Sequence, residues 1–175
     1  WSRVKIFLAD ERLYGIEISL RKMPSTGVYG FQIWSDNLVR FKKDTFGLPL
    51  GPKLEIKIPE NLLLNDVNKR AVIRGIFDTD GCLYLEHKNK KIYPRIEITT
   101  ISKRLAEQMV EVLSSLSFRP TINSMLSTND GSSRMRAYRV SVRGMEMTSK
   151  WFKEIKPENQ KHIMKFHSLQ ISKTL

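Results

Sequence analysis

The sequence predicts an α+β fold built from two αββαββα-type repeats, the first of them shortened. Three observations predict it. Residues 66–171 run in the order helix, two strands, helix, two strands, helix; the strands carry one apolar and one polar face; and short stretches of the first sixty residues resemble stretches of the second half.

The second half reads most clearly. Val67, Ala71, Ile73, Ile76 and Phe77 recur at helical spacing over 66–79, with Asp66 placed as the cap. Gly81 falls just past the end, where a positive φ would turn the chain into a strand. From Cys82 the period becomes two: Leu83, Leu85 and His87 point one way, Cys82, Tyr84, Glu86 and Lys88 the other. Asn89, Lys90 and Lys91 make a turn, after which Ile92, Ile96 and Ile98 alternate with Arg95, Glu97 and Thr99. The result is a hairpin with one oily face and one wet, basic face. Ser102 caps a second helix whose stripe is Leu105, Met109, Val112, Leu113 and Leu116. A strand near 119–127, a loop over 128–133 and a strand alternating Tyr138, Val140 and Val142 with Arg139, Ser141 and Arg143 follow. Short helices over about 145–154 and 158–171 end the chain, and Trp34 and Trp151, each near the start of a short helix, are expected in the core.

In the first half, "RVKI" from Arg3 resembles "RIEI" from Arg95, and "FQIWSDNLVRFKK" from Phe31 resembles "YRVSVRGMEMTSKWFKE" from Tyr138, a strand and then a short helix. Tyr14, Ile16, Ile18 and Leu20 alternate ahead of a turn at Pro24–Gly27, which favours a hairpin over the helix that a strict repeat would place there. These signals assign 1–60 to the shortened first repeat and its linker, and 61–175 to a complete second repeat with its opening helix at about 66–80. The opening helix of the first repeat would precede Trp1, and a start without methionine fits a piece of a longer product.

Thirty Lys and Arg against 18 Asp and Glu give a net charge of +12, a surface field that attracts a polyanion, with nucleic acid the first candidate. No long apolar run and no basic amphipathic helix with a clean hydrophobic face speaks for a membrane. One cysteine, Cys82, and no secretory leader suggest an intracellular protein. His87, His162 and His167 lack zinc spacing, and neither a Gly-rich phosphate loop nor a nucleophile elbow is present.

The most informative stretch is "RGIFDTDG", Arg74 to Gly81. Its two carboxylates, Asp78 and Asp80, lie at a helix C-terminus, where the macrodipole disfavours each by about 0.3–1 kcal/mol unless a positive partner is near. Two readings stand: an Asp-Gly turn with Asp78 capping or pairing with Arg74, or an oxygen-donor site for a hard divalent cation. An EF-hand is excluded, because Ile76 and His87 occupy positions that require acids.

Residues 73–81, preceded by "KIPENLLLNDVNKRAV" and followed by an alternating strand, resemble the second motif of a LAGLIDADG homing endonuclease, and "LVRFKKDTFGLPLGPKLEIKIP" resembles the segment linking the two repeats. The resemblance spans nearly the whole chain and implies a saddle of antiparallel sheets over duplex DNA, with helices packed on one face. It implies that two motif helices cross through small residues, here Gly75, and that Asp80 is the acid reaching the scissile phosphate. Asp78 would then be structural, the Gly81 backbone a further metal ligand, and Mg²⁺ the cofactor of a site-specific double-strand endonuclease. A basic residue near the base of the sheet is also implied, with Lys156 and Lys161 as candidates. The wet faces supply the DNA contacts: Tyr84, Glu86, Lys88, Arg95, Glu97, Thr99, Arg139, Ser141 and Arg143.

Two departures from the family pattern matter. Arg74 stands where the motif has alanine and must leave the helix crossing or clash. Only one motif is present, so the second helix is expected from a preceding segment or from a homodimer partner. The alternatives are a non-cleaving module of the same fold, either a maturase bound to intron RNA or a DNA-binding regulator, and a structural or ribosome-associated basic protein.

Overall fold

The computed structural model describes residues 21–22, 29–30, 34–48, 53–89, 91–127 and 135–171. The chain divides into two compact units, Trp1–Gly47 and Leu48–Leu175. In the first, β1 (Arg21–Lys22) pairs antiparallel with β2 (Tyr29–Gly30), the expected turn at 24–27 lying outside the described residues, and helix α1 spans Asp36–Phe46. Ser35 caps α1 by accepting from the Leu38 N–H at 3.2 Å. Trp34, expected in the core, is 87% exposed; it precedes the cap, outside the helix, and no described residue of α1 is buried. The segments 3–6, 14–20 and 31–33, on which the repeat in the first half was read, lie outside the described residues, as does the loop 128–133.

The second unit holds α2 (Asp66–Asp80), β3 (Gly81–Lys88), β4 (Lys91–Thr100), α3 (Lys103–Ser115), β5 (Pro120–Ser127), β6 (Met135–Arg143), α4 (Met145–Glu154) and α5 (Gln160–Ile171). The four strands form one antiparallel sheet in the order β3-β4-β6-β5, so the fold is α+β. Its apolar face presents Leu83, Ile96, Ile98, Val140 and Val142, all buried. Against them pack Ile73 and Phe77 of α2, the full expected stripe of α3, and Trp151 of α4, in one core. Phe77 meets Trp151 edge-on at 5.2 Å, and Phe152 stacks on Phe166 of α5 at 4.0 Å.

The segment 48–60, read as part of the first region, groups with the second unit. Ile58 is buried, and its N–H and C=O are both bonded by the Gln108 side-chain amide, at 2.6 and 2.8 Å. The Ser102 hydroxyl, besides capping α3, donates to the Ile56 carbonyl at 2.8 Å. Two local expectations change. Asn65, not Asp66, caps α2, accepting from the Asn68 N–H at 2.9 Å, while Asp66 begins the first turn and pairs with Lys69 and Arg70. Gly81 is extended at φ −90° rather than left-handed, and its reason is space: a Cβ there would strike the Phe77 ring and sit 2.7 Å from the Phe77 carbonyl oxygen.

Candidate nucleic-acid interface

Strand register sets the polar face of the sheet. Tyr84 lies opposite Arg95 and Arg95 opposite Arg143; Cys82 lies opposite Glu97 and Glu97 opposite Ser141; Thr99 lies opposite Arg139 and Arg139 opposite Asn123. Three rows therefore run across the strands on the side away from the core. Seven expected contact residues are exposed or part-exposed on this face: Tyr84, Glu86, Lys88, Arg95, Thr99, Arg139 and Arg143. The other two are not. Glu97 is 8% and Ser141 1% exposed, because each is a shorter side chain in the middle row, overshadowed by the arginines on either side.

Charges on this face are interlocked. Arg95 reaches Glu86 at 3.6 Å and Glu97 at 3.5 Å and lies 4.7 Å over the Tyr84 ring. Arg139 reaches Glu97 at 3.9 Å. At the hairpin end, Glu86, Lys88, Tyr93, Arg95 and Arg143 line an open groove of about 700 Å³. Sequence reading missed Tyr93, Thr121 and Asn123; the alternation of β4 and β5 carried the signal for all three.

The two aspartates of the corner have separate environments. Asp78 accepts from the backbone N–H groups of Glu158 at 2.9 Å and Asn159 at 3.2 Å, and the Asn159 amide donates to the Asp78 carbonyl at 3.0 Å. The carboxylate thus ties the last turn of α2 to the segment leading into α5, which Asn159 caps by accepting from the Lys161 N–H at 3.1 Å, and the positive dipole end of α5 supplies the compensation its own helix lacks. Asp80 is exposed, and its contact among the described residues is the Thr79 hydroxyl, 3.3 Å away. It directly precedes β3, whose first residue, Gly81, pairs with Ile98, the neighbour of Thr99.

Arg74 points away from the exposed side of α2. Its Nε donates to the Ile155 carbonyl at 2.7 Å, and its guanidinium lies 3.8 Å from Glu158. Val67, Ala71 and Gly75, at intervals of four on one face, are exposed, and a Cβ at Gly75 would meet nothing within 4 Å.

Burial and then the Glu97 carboxylate push the Cys82 thiol above its ordinary value, while Lys165, Arg139 and Lys161 pull it down. The thiol is therefore not activated as a catalytic thiolate. Lys161 and Lys165 of α5 are thus near enough to Cys82 to act on it electrostatically, and no described contact joins either side chain to Asp80. Lys156 is exposed at φ 54°, in the α4–α5 connection, and no described contact joins its side chain to Asp80. Burial lowers the pKa of His162, which packs 4.6 Å from the Phe77 ring, against the opposing pull of Asp78. Among the described residues, no three His, Cys, Asp or Glu side chains stand together as a metal cage, and no helix is long and apolar enough to cross a membrane.

Residues 68–156, about half of the chain and the span that includes the corner and the whole four-stranded sheet, match the family described as the LAGLIDADG-like domain. The chain belongs to this family. Among solved structures, this LAGLIDADG-like chain is similar to I-DmoI in complex with DNA and Mn, at 19% identity and a TM-score of 0.38 over 53% of this chain and 51% of that one. It is also similar to an I-DmoI variant with its target DNA in the presence of Mn, at 20% identity and a TM-score of 0.37, over 53% of this chain and 50% of the other. The chain spans about half the length of both. No curated protein is significantly similar to it.

Proposed function

We propose that this LAGLIDADG-like chain forms one half of a site-specific double-strand DNA endonuclease, whose sheet lies in the major groove and whose Asp80 reaches the scissile phosphate. The observation that carries the reading is the separation of the corner. Asp78 is bound to α5, which leaves Asp80 exposed at the border of a face bearing Tyr84, Lys88, Arg95, Arg139 and Arg143. Arginine forks match the major-groove edge of guanine, and lysines meet phosphates.

The Asp80 carboxylate and the adjoining Gly81 carbonyl are hard oxygen donors of the kind Mg²⁺ prefers. By themselves they make a partial donor set, as the absence of a metal cage among the described residues requires. A second acidic helix tip would complete it, docked on the exposed face of Val67, Ala71 and Gly75, from a preceding segment or a second copy. When bound, the ion would polarise the phosphodiester and activate water. This chain's own contribution is to hold DNA through the arginines, aim Asp80, and offer Lys156 or Lys161 as the basic residue.

Asp80→Asn in the full-length product should lower recovery of cleaved ends from a randomised duplex library by roughly 100- to 1000-fold, as loss of one electrostatic stabiliser does, with duplex binding nearly unchanged. Survival of cutting would remove Asp80 from the mechanism. A second reading, a binding module that does not cut, is favoured by the lone carboxylate at the corner; it predicts no cleaved ends from either protein.

A further inference from the structure

We propose that Glu97 is a positioning residue for base recognition: a carboxylate buried inside the polar face that holds Arg139 as a guanine-reading side chain and Arg95 as its strut. The inference rests on the reading that this face binds duplex DNA.

A carboxylate shut away on an otherwise open face requires a cause, since burying that charge is unfavourable unless cations accompany it. Glu97 has two. Its Oε1 lies 3.5 Å from the Arg95 Nε and its Oε2 3.9 Å from the Arg139 Nε, so each oxygen faces one guanidinium. Neither separation completes a hydrogen bond, and the Arg95 Nε, Arg139 Nε and Glu97 Oε1 atoms are buried without a hydrogen-bond partner among the described residues. Charge therefore holds the arginines near Glu97 while leaving them room to adjust when new acceptors arrive.

The two arginines differ in what else holds them. Arg95 has a second carboxylate, Glu86, and the Tyr84 ring beneath it, and only 20% of its side chain is exposed. Arg139 is 37% exposed, and its NH2 group donates to the Met125 sulfur at 3.6 Å. Thioether sulfur is a weak acceptor, which the N7 and O6 of guanine would replace. Arg139 is thus aimed by Glu97 at one end and exchangeable at the other. Without the Glu97 charge, the same guanidinium would be free to turn to any nearby phosphate, which carries no sequence information.

The test is selection of bound sequences from a randomised duplex pool by the full chain, its Glu97→Gln variant and its Arg139→Lys variant, with affinity for one scrambled duplex measured over a salt series. The wild type should select at least one G·C position whose preference falls tenfold or more in both variants. Glu97→Gln, which removes a negative charge from the interface, should bind the scrambled duplex at least as tightly as the wild type, with a log–log salt slope steeper by about one. That retained binding also reports an intact fold, and Arg139→Lys must erase the same position independently. An unchanged preference in Glu97→Gln, or an equal loss of selected and scrambled binding as from a merely structural residue, overturns the proposal. If the wild type binds no duplex at all, the DNA reading fails and takes this one with it.

Discussion

Replacing Asp78 and Asp80 one at a time by alanine should give opposite results for stability and for cutting. Asp78→Ala removes the acceptor for two backbone N–H groups, at 2.9 and 3.2 Å, and the negative charge at the start of α5. Losing the hydrogen bonds of two backbone N–H groups to a carboxylate costs about 1–2 kcal/mol, and losing a negative charge near a helix N-terminus costs about 0.3–1 kcal/mol more. The site is part-exposed, so water can satisfy the freed N–H groups, and a net loss of about 2 kcal/mol is expected. For a chain of this size that lowers Tm by about 6 °C. Asp80→Ala removes an exposed side chain held by one hydroxyl, at a helix end that disfavours negative charge. Its stability should stay within about 0.5 kcal/mol of wild type. Urea unfolding followed by far-UV circular dichroism measures both. An Asp78→Ala protein as stable as wild type, beside a destabilised Asp80→Ala, would refute the division of labour between the two acids.

Other consequences follow from the same packing. Gly81→Ala should cost about 1–3 kcal/mol, because the new methyl group meets the Phe77 carbonyl at 2.7 Å and backbone yields little; the urea midpoint reports it. Burial lowers the folded-state pKa of His162 from its ordinary 6.5, so below about that pH the unfolded chain binds more protons than the folded one. The contribution of the neutral buried ring is therefore complete above that pH and is lost as pH falls toward the folded value. Urea midpoints at pH 7.5 and 5.5 should converge more closely in His162→Phe than in the wild type.

The element order from 66 to 171 was legible because each element keeps one period and one buried face. Leu105, Met109, Val112 and Leu113 mark α3, and Ile96, Ile98, Val140 and Val142 mark the inner strands. What sequence could not supply depended on neighbours distant along the chain. Asp78 reads as a misplaced charge until α5 is folded against α2, since its donors, Glu158 and Asn159, come eighty residues later. Gly81 reads as a left-handed turn until the Phe77 ring is in place above it. Alternation correctly put Glu97 and Ser141 on the polar face, yet period cannot tell a middle row shaded by arginines from an open one. Trp34 has the same signature as a core anchor, an aromatic residue beside a helix start, yet it lies before the Ser35 cap and is exposed.

The chain's one thiol, exposed Cys82, lies on the polar face of β3 two residues after Asp80, and so tests most directly where nucleic acid lies. A photoactivatable crosslinker attached there should capture bound duplex DNA. The same reagent at Glu111→Cys in a Cys82→Ser background, on the exposed side of α3, should not. Capture from α3 with none from Cys82, in a complex that forms normally, would contradict the assignment of the corner and the polar face to the DNA.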